Sequence, residues 1–315
     1  MVYSIIIAGA GQLGSRHLQG LAKYPDKLNV WVYDISQSSL DRARQRWLEC
    51  ETTIHDVIYT DRLEDIPDNI DLAIVASTAS VRFQIVSQLT QKIYVKYWIL
   101  EKILAQSLEE LSKIFHATSN SLGSWVNTPR LSWPLYKNIR QFSQGKSIKT
   151  AKFLNYKGLI CNSIHFVDLV SRWNQTTPVK IDSAGLADRW HSSSRSGFYE
   201  IYGSLKISFA DGAELFLSSC QDSTELCYSL EFEDASWSVS EKHGCARSSN
   251  GQVVHGATLL QSQMTSTLVD SIFRDSSCDL PTLDQSIEQH SLLLKVLLKH
   301  WNRSMLASST YVPIT

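Results

Sequence analysis

Apolar positions in the first 127 residues fall into short unbroken runs separated by segments of helical spacing. Ile5, Ile6 and Ile7 form a β-branched run of the kind a strand buried on both faces shows. Leu13, Leu18 and Leu21 then recur on one side of a helix. "LNVWVYD" reads as a second strand, ending at Asp34. Ser36 is placed to cap a helix that turns Leu40, Ala43 and Trp47 inward. "VIYT" is a short strand, and "IDLAIVAST" (70–78) a strongly buried one. "VRFQIVSQLTQ" follows as a helix, "IYVKYWILEK" (93–102) as a strand, "SLEELSKIFHATSN" as a helix and "SWVN" (124–127) as a strand. Alternation of this type predicts a parallel sheet with helices on both faces.

The pattern changes near residue 128. "TPRLSWPLYKNIRQFSQG" reads as one helix closed by Gly145, "KTAKFLNYKG" as a strand and "NSIHFVDLVSRW" as a helix. From about 179 to 256 the chain reads mostly as strands: "VKIDSAGLADRW", "YEIYGSLKISFA", "AELFLSSC", "YSLEFED" and "SWSVSE". Asp211-Gly212 between two of them is a hairpin signal. Two helices finish the chain. The last begins at Thr282 with Gln285 in capping-box spacing and carries the stripe Leu283, Ile287, Leu294, Leu297 and Trp301. Two domains are expected: 1–127, with a doubly wound parallel sheet, and 128–315, an α+β domain built on a large, mostly antiparallel sheet.

Composition adds bounds. A chain of 315 residues with 43% hydrophobic content has material for two cores. A net charge of −1 gives no reason to expect a nucleic-acid partner. The six cysteines form no C-x-x-C pair and no metal-like cluster, so no metal is expected and free thiols in a reducing cytoplasm are. No apolar stretch approaches the roughly 20 residues that span a bilayer, and no membrane partner is expected.

The chemistry begins in "IIIAGAGQLGSRHLQGL" (5–21), with Gly9, Gly11 and Gly14 in G-x-G-x-x-G order between strand and helix. That setting marks a dinucleotide-binding turn, in which Gln12 and Leu13 open the helix whose N-terminus faces the pyrophosphate. Asp34 lies 20 residues beyond Gly14, where an acid meets the ribose hydroxyls and repels a 2′-phosphate, so NAD is expected over NADP. Ser77, Glu101 and Lys102 sit at strand ends on the carboxyl edge of the sheet, where open α/β folds bind ligands.

The glycine turn, the acid-ended second strand, Glu101-Lys102 after the fifth strand and the strand-rich second half together resemble the Gfo/Idh/MocA oxidoreductase family. "EKILAQSLEE" is similar to that family's E-K-P run, with Ile103 in place of the proline, and "DLPTLDQSIEQHSLLLKVL" resembles its closing helix. "GLICNSIHFVDL" resembles its second-domain D-x-x-x-H-x-x-D segment. His165 takes the histidine position and Asp168 the later acid, with Cys161 where relatives carry Asp. The resemblance implies a Rossmann fold, a nicotinamide cofactor bound by Gly9, Gly11, Gln12, Leu13, Gly14, Asp34, Ser77 and Glu101, and Lys102 and His165 as catalytic groups. It assigns Asn127, Arg130, Cys161 and Asn162 to the substrate. It implies reversible hydride transfer at a CH–OH group of a sugar, sugar nucleotide or related polyol, in a homo-oligomer (dimer or tetramer). Two alternatives remain: a dinucleotide-binding regulator without turnover, which the Cys161 replacement keeps open, and a reductase of a non-sugar. Tyr156, Lys157, Arg189, Trp190 and His191 are further pocket candidates among which spacing does not choose, and 192–197 reads as a loop.

Overall fold

The computed structural model of the chain describes residues 2–50, 54–221 and 226–315. The chain forms two compact units. The first comprises the chain through Ala105, then Glu109–Asn127 and Leu259–Asp284; the second comprises Gln106–Leu108, Thr128–Thr258 and Gln285–Thr315. The sequence reading placed a single boundary after residue 127, whereas the chain here returns to the first unit at Leu259.

In the first unit β1 (Tyr3–Ala8), α1 (Gln12–Leu21), β2 (Leu28–Tyr33), α2 (Gln37–Leu48), β3 (Asp56–Thr60), β4 (Asn69–Val75), α3 (Ala79–Lys92), β5 (Tyr94–Leu100), α4 (Leu108–Ala117) and β6 (Gly123–Val126) alternate. The strands pair in the order β3-β2-β1-β4-β5-β6, all parallel. Ile5, Ile6, Ile7, Leu72, Ile74, Ile99 and Leu100 are buried, as strands covered on both faces require. The order reverses between β1 and β4, and the crevice beyond their carboxyl ends is the ligand position of such sheets. On α1 the buried face is Gly14, His17, Leu18 and Leu21, with Leu13 only half-buried. On α2, Leu40 and Ala43 are buried and Trp47 is half-buried.

In the second unit α5 (Pro134–Phe142), β7 (Thr150–Leu154), α6 (Leu159–Asn174), β8 (Pro178–Asp182), β9 (Leu186–Ser192), β10 (Tyr199–Phe209), β11 (Glu214–Ser219), β12 (Cys227–Glu231), β13 (Ser236–Ser240), β14 (Cys245–Ser248) and β15 (Val253–His255) follow. They build a nine-stranded sheet in the order β15-β14-β13-β12-β7-β11-β10-β8, with β9 beside β10. Every pairing is antiparallel except β11 with β7. One face presents Ala151, Phe153, Leu215, Leu217, Leu230 and Val239 to the core. The other carries the ion pairs Lys152–Glu231 and Lys206–Glu214, each 2.6 Å. Two helices close the chain, α7 (Gln261–Asp275), which belongs to the first unit, and α8 (Leu283–Met305).

Three local expectations change. The helix expected over 128–145 is a 3-10 turn (Pro129–Ser132) followed by α5, with Trp133 extended at φ −68°, ψ 138°. Trp133 precedes Pro134, whose ring disfavours helical backbone at the residue before it. The strand expected over 179–190 is two strands, β8 and β9, because Ser183–Gly185 turns so that the Ser204 N–H reaches the Gly185 carbonyl at 2.9 Å. The stripe of α8 is less apolar than its periodicity suggests. Ile287 is half-buried, while Ser286 and His290 are wholly buried.

Candidate functional site

The glycine turn is shaped by close packing at two of its glycines and left open at the third. A Cβ on Gly9, which has φ +98°, would stand 2.9 Å from the Ala76 carbonyl carbon and the Ser77 nitrogen. A Cβ on Gly14 would collide with the Gly9 carbonyl. These two glycines let the turn fold against itself and against the end of β4. A Cβ on Gly11 would meet nothing within 4 Å. That open surface lies at the N-cap of α1, where backbone N–H groups and the helix dipole favour an anion. The turn fits a dinucleotide pyrophosphate.

Asp34 follows β2 and is drawn onto this turn. Its Oδ2 accepts the Ala10 N–H at 2.7 Å and its Oδ1 accepts the Ser36 N–H at 2.9 Å. Each oxygen keeps lone-pair capacity for a ribose hydroxyl. Gln12 is exposed, and Arg46 from α2 donates to its Oε1 at 2.5 Å and its carbonyl at 2.9 Å. Arg46 also donates to Ser15 Oγ at 2.5 Å. The sequence offered no motif for Arg46; only the packing of α2 beside α1 brings it here.

At the ends of β4 and β5 the sheet edge is built around charge. Glu101 is 3% exposed, and its Oε1 faces His17 Nε2 at 2.9 Å and accepts the Asn127 amide at 2.5 Å. Burial alone raises this carboxyl. The His17 hydrogen bond and charge, the Asn127 amide and the Arg82 cation outweigh it, and the group sits below its ordinary value. His17 Nδ1 in turn lies 3.1 Å from Thr265 Oγ1, and Gln261 Oε1 accepts the Asn127 amide at 2.7 Å. Residues from α1, the ends of β5 and β6, and α7 thus meet in one polar cluster around Glu101, the residue before Lys102. Lys102 itself is half-buried, and its peptide bond to Ile103 is cis. Ser77 is half-buried after β4, and its carbonyl accepts from Arg82. Gly9, Gly11, Gln12, Leu13, Gly14, Asp34, Ser77, Glu101, Lys102 and Asn127 therefore share the first unit.

The remaining candidates lie in the second unit. Cys161, Asn162 and His165 are half-buried on α6, with Cys161 and His165 one turn apart on a common face. The first turn of α6 is capped from β10. Glu200 accepts the Ile160 and Cys161 N–H groups, each at 2.9 Å. Asp168 is wholly buried, and burial pushes its carboxyl up to about 6 against the pull of Arg172, 3.7 Å away. Arg130 is committed within the unit: its Nε donates to Glu241 at 3.0 Å and its guanidinium lies 4.3 Å over the Phe166 ring. Tyr136 also donates to Glu241, at 2.7 Å. Of the further candidates, Tyr156 is buried and donates to the Leu159 carbonyl at 3.0 Å. Trp190 donates to Ser304 Oγ at 3.0 Å, His191 stacks on Tyr202, and Lys157 and Arg189 are exposed. Among the described residues no group of three His, Cys, Asp or Glu is arranged to hold a metal, and no helix is long and apolar enough to cross a membrane.

The comparisons with known proteins converge on one fold. Residues 3–123 match the Gfo/Idh/MocA model, described as an oxidoreductase family with an NAD-binding Rossmann fold. A search of curated proteins finds no sequence match. Among solved structures, UDP-N-acetylglucosamine 3-dehydrogenase from Acidithiobacillus ferrooxidans aligns over 95% of this chain and 97% of its own, at 13% identity and a TM-score of 0.67. Myo-inositol 2-dehydrogenase from Lactobacillus plantarum aligns over 96% and 98%, at 14% identity and a TM-score of 0.68. Scyllo-inositol dehydrogenase from Lactobacillus casei, solved with NAD(H) and scyllo-inositol, aligns over 93% and 95%, at 15% identity and a TM-score of 0.66. Over the Rossmann domain that its glycine turn opens, residues 3–123, this chain matches the NAD-binding domain of the Gfo/Idh/MocA oxidoreductases.

Proposed function

We propose that the protein is an NAD-dependent dehydrogenase that moves a hydride reversibly between nicotinamide and a CH–OH carbon of a sugar, sugar nucleotide or related polyol. The observation that carries this reading is the placement of Lys102. It follows β5 at the carboxyl edge of the parallel sheet, directly after a Glu101 carboxyl held by His17 and Asn127. NAD, when bound, supplies the hydride acceptor. Lys102 takes the hydroxyl proton on oxidation and returns it on reduction, with His165 as the second group assigned to that proton. Asn127, Arg130, Cys161 and Asn162 are assigned to the substrate. Arg130, neutralised by Glu241, then contributes its guanidinium face and N–H groups rather than a net charge.

Preference for NAD rests on Asp34, whose carboxylate repels a 2′-phosphate, while Ile35 beside it would serve the adenine that NAD and NADP share. Ile35 is 84% exposed, an apolar surface suited to one face of an adenine ring. Support for the substrate class comes from the named activities of the structural neighbours, which act on a sugar nucleotide and on inositols. The same reading carries a homo-oligomer and a cytoplasmic location, checked by light scattering and by fractionation.

The test is direct. The purified protein is titrated with NADH and NADPH by nicotinamide fluorescence, then assayed for NAD reduction on inositols, free sugars and UDP-sugars. Saturable NADH binding with turnover on one of these supports the reading. NADH binding without turnover across the panel, in either direction, would favour the dinucleotide-binding regulator instead.

A further inference from the structure

Arg82 adds to the sheet edge a buried cation whose position the glycine turn does not account for and the Glu101 cluster accounts for only in part. It lies in the first turn of α3 and is 0% exposed. Two physical costs attach to it there. The positive end of a helix dipole disfavours a cation, and the first turn of α3 holds no acidic residue to compensate. A wholly buried guanidinium also gives up its hydration, a loss that its hydrogen bonds must offset. A cation kept here at these costs calls for a role that its contacts can show.

Its contacts show what it does. One terminal nitrogen donates to the carbonyls of Ile103 and of Leu104, the latter at 3.0 Å; the other donates to the carbonyl of Ser77. Ser77 leads out of β4, and Ile103 and Leu104 follow Lys102 out of β5. The planar fork thus fastens together the two loops at the carboxyl edge of adjacent parallel strands. Lysine, a point donor, cannot span both loops in this way. The same cation helps, beside His17 and Asn127, to hold the Glu101 carboxyl ionised.

We infer that Arg82 is a positioning residue of the oxidoreductase site, fixing Lys102 relative to Ser77 and so the depth at which the nicotinamide end of the cofactor seats. This rests on the dehydrogenase reading above. Its effect reaches the reaction through the backbone of the two loops, with no contact to substrate required.

Arg82→Met and Arg82→Lys separate this from a structural role. Thermal unfolding is measured beside NADH affinity and, on the substrate found by the panel, kcat and KM. For Arg82→Met some fall in unfolding temperature is expected, since the Ser77, Ile103 and Leu104 carbonyls lose their donor. NADH affinity should fall at least tenfold, and kcat should fall at saturating cofactor with little change in substrate KM. Arg82→Lys should recover part of the affinity and carries the test alone if the Met variant does not fold. If the variants unfold more easily but match the unmodified protein in affinity and kcat per folded molecule, Arg82 is structural and the inference is overturned. Unmodified protein that binds no NADH removes the underlying reading and the inference with it. Unmodified protein that binds NADH, with variants equal to it, overturns the inference alone.

Discussion

His17 Nε2 and Glu101 Oε1 meet at 2.9 Å across 84 residues of sequence, both side chains almost wholly buried. The pair joins the helix of the glycine turn to the strand end that presents Lys102. Removing one member of such a pair leaves an uncompensated buried charge, which costs about 3–5 kcal/mol. His17→Ala is therefore expected to lower the unfolding free energy by several kcal/mol in urea. Its loss should exceed that of the neighbouring surface change Gln19→Ala by a wide margin; equal losses would show that the pair adds nothing.

Asp168 makes stability fall with rising pH. Its folded-state value of about 6 lies above its ordinary 3.8, so between those values the native state holds a proton that the unfolded chain has released. The carboxyl's unfavourable burial is absent below about pH 4 and fully felt above about pH 6. The loss across that window is on the order of 3 kcal/mol. Asp168→Asn should abolish this part of the pH dependence and raise the unfolding temperature at pH 7. Unfolding curves at pH 4.5 and 7 for both proteins decide it; an Asn variant less stable at pH 7 would mean that the charged pair with Arg172 outweighs the burial.

Cofactor choice should depend on Asp34. Its carboxylate stands at the end of β2, fixed by the Ala10 and Ser36 N–H groups. NADH should bind more tightly than NADPH, and Asp34→Ala should narrow the difference. The same change removes the acceptor for two backbone donors, so NADH affinity itself should also weaken. Tighter NADPH binding by the unmodified protein would contradict this assignment.

Lys102→Met keeps the length of the side chain and removes its proton. General acid–base groups contribute roughly 10²–10⁴-fold. Turnover should fall within that range, while NADH titration gives a nearly unchanged affinity, because the glycine turn and Asp34 belong to other strands. Near-normal turnover in the variant would remove Lys102 from the chemistry.

Much of this molecule was already legible in short stretches of chain. Ile5–Ile7, the glycine spacing that follows and the repeated buried runs determine the parallel sheet, because strand burial and helix periodicity are local patterns and a tight phosphate turn needs glycine at set positions. Lys102 at a strand end was legible for the same reason. The tertiary structure alone decided what those residues lean on. His17 meets Glu101, Arg82 joins Ser77 to Leu104, and Glu200 caps the turn of Cys161 from 39 residues away. No periodicity records which buried polar group finds which partner, since that depends on which elements the fold sets side by side and on the need to satisfy each polar group once water is gone.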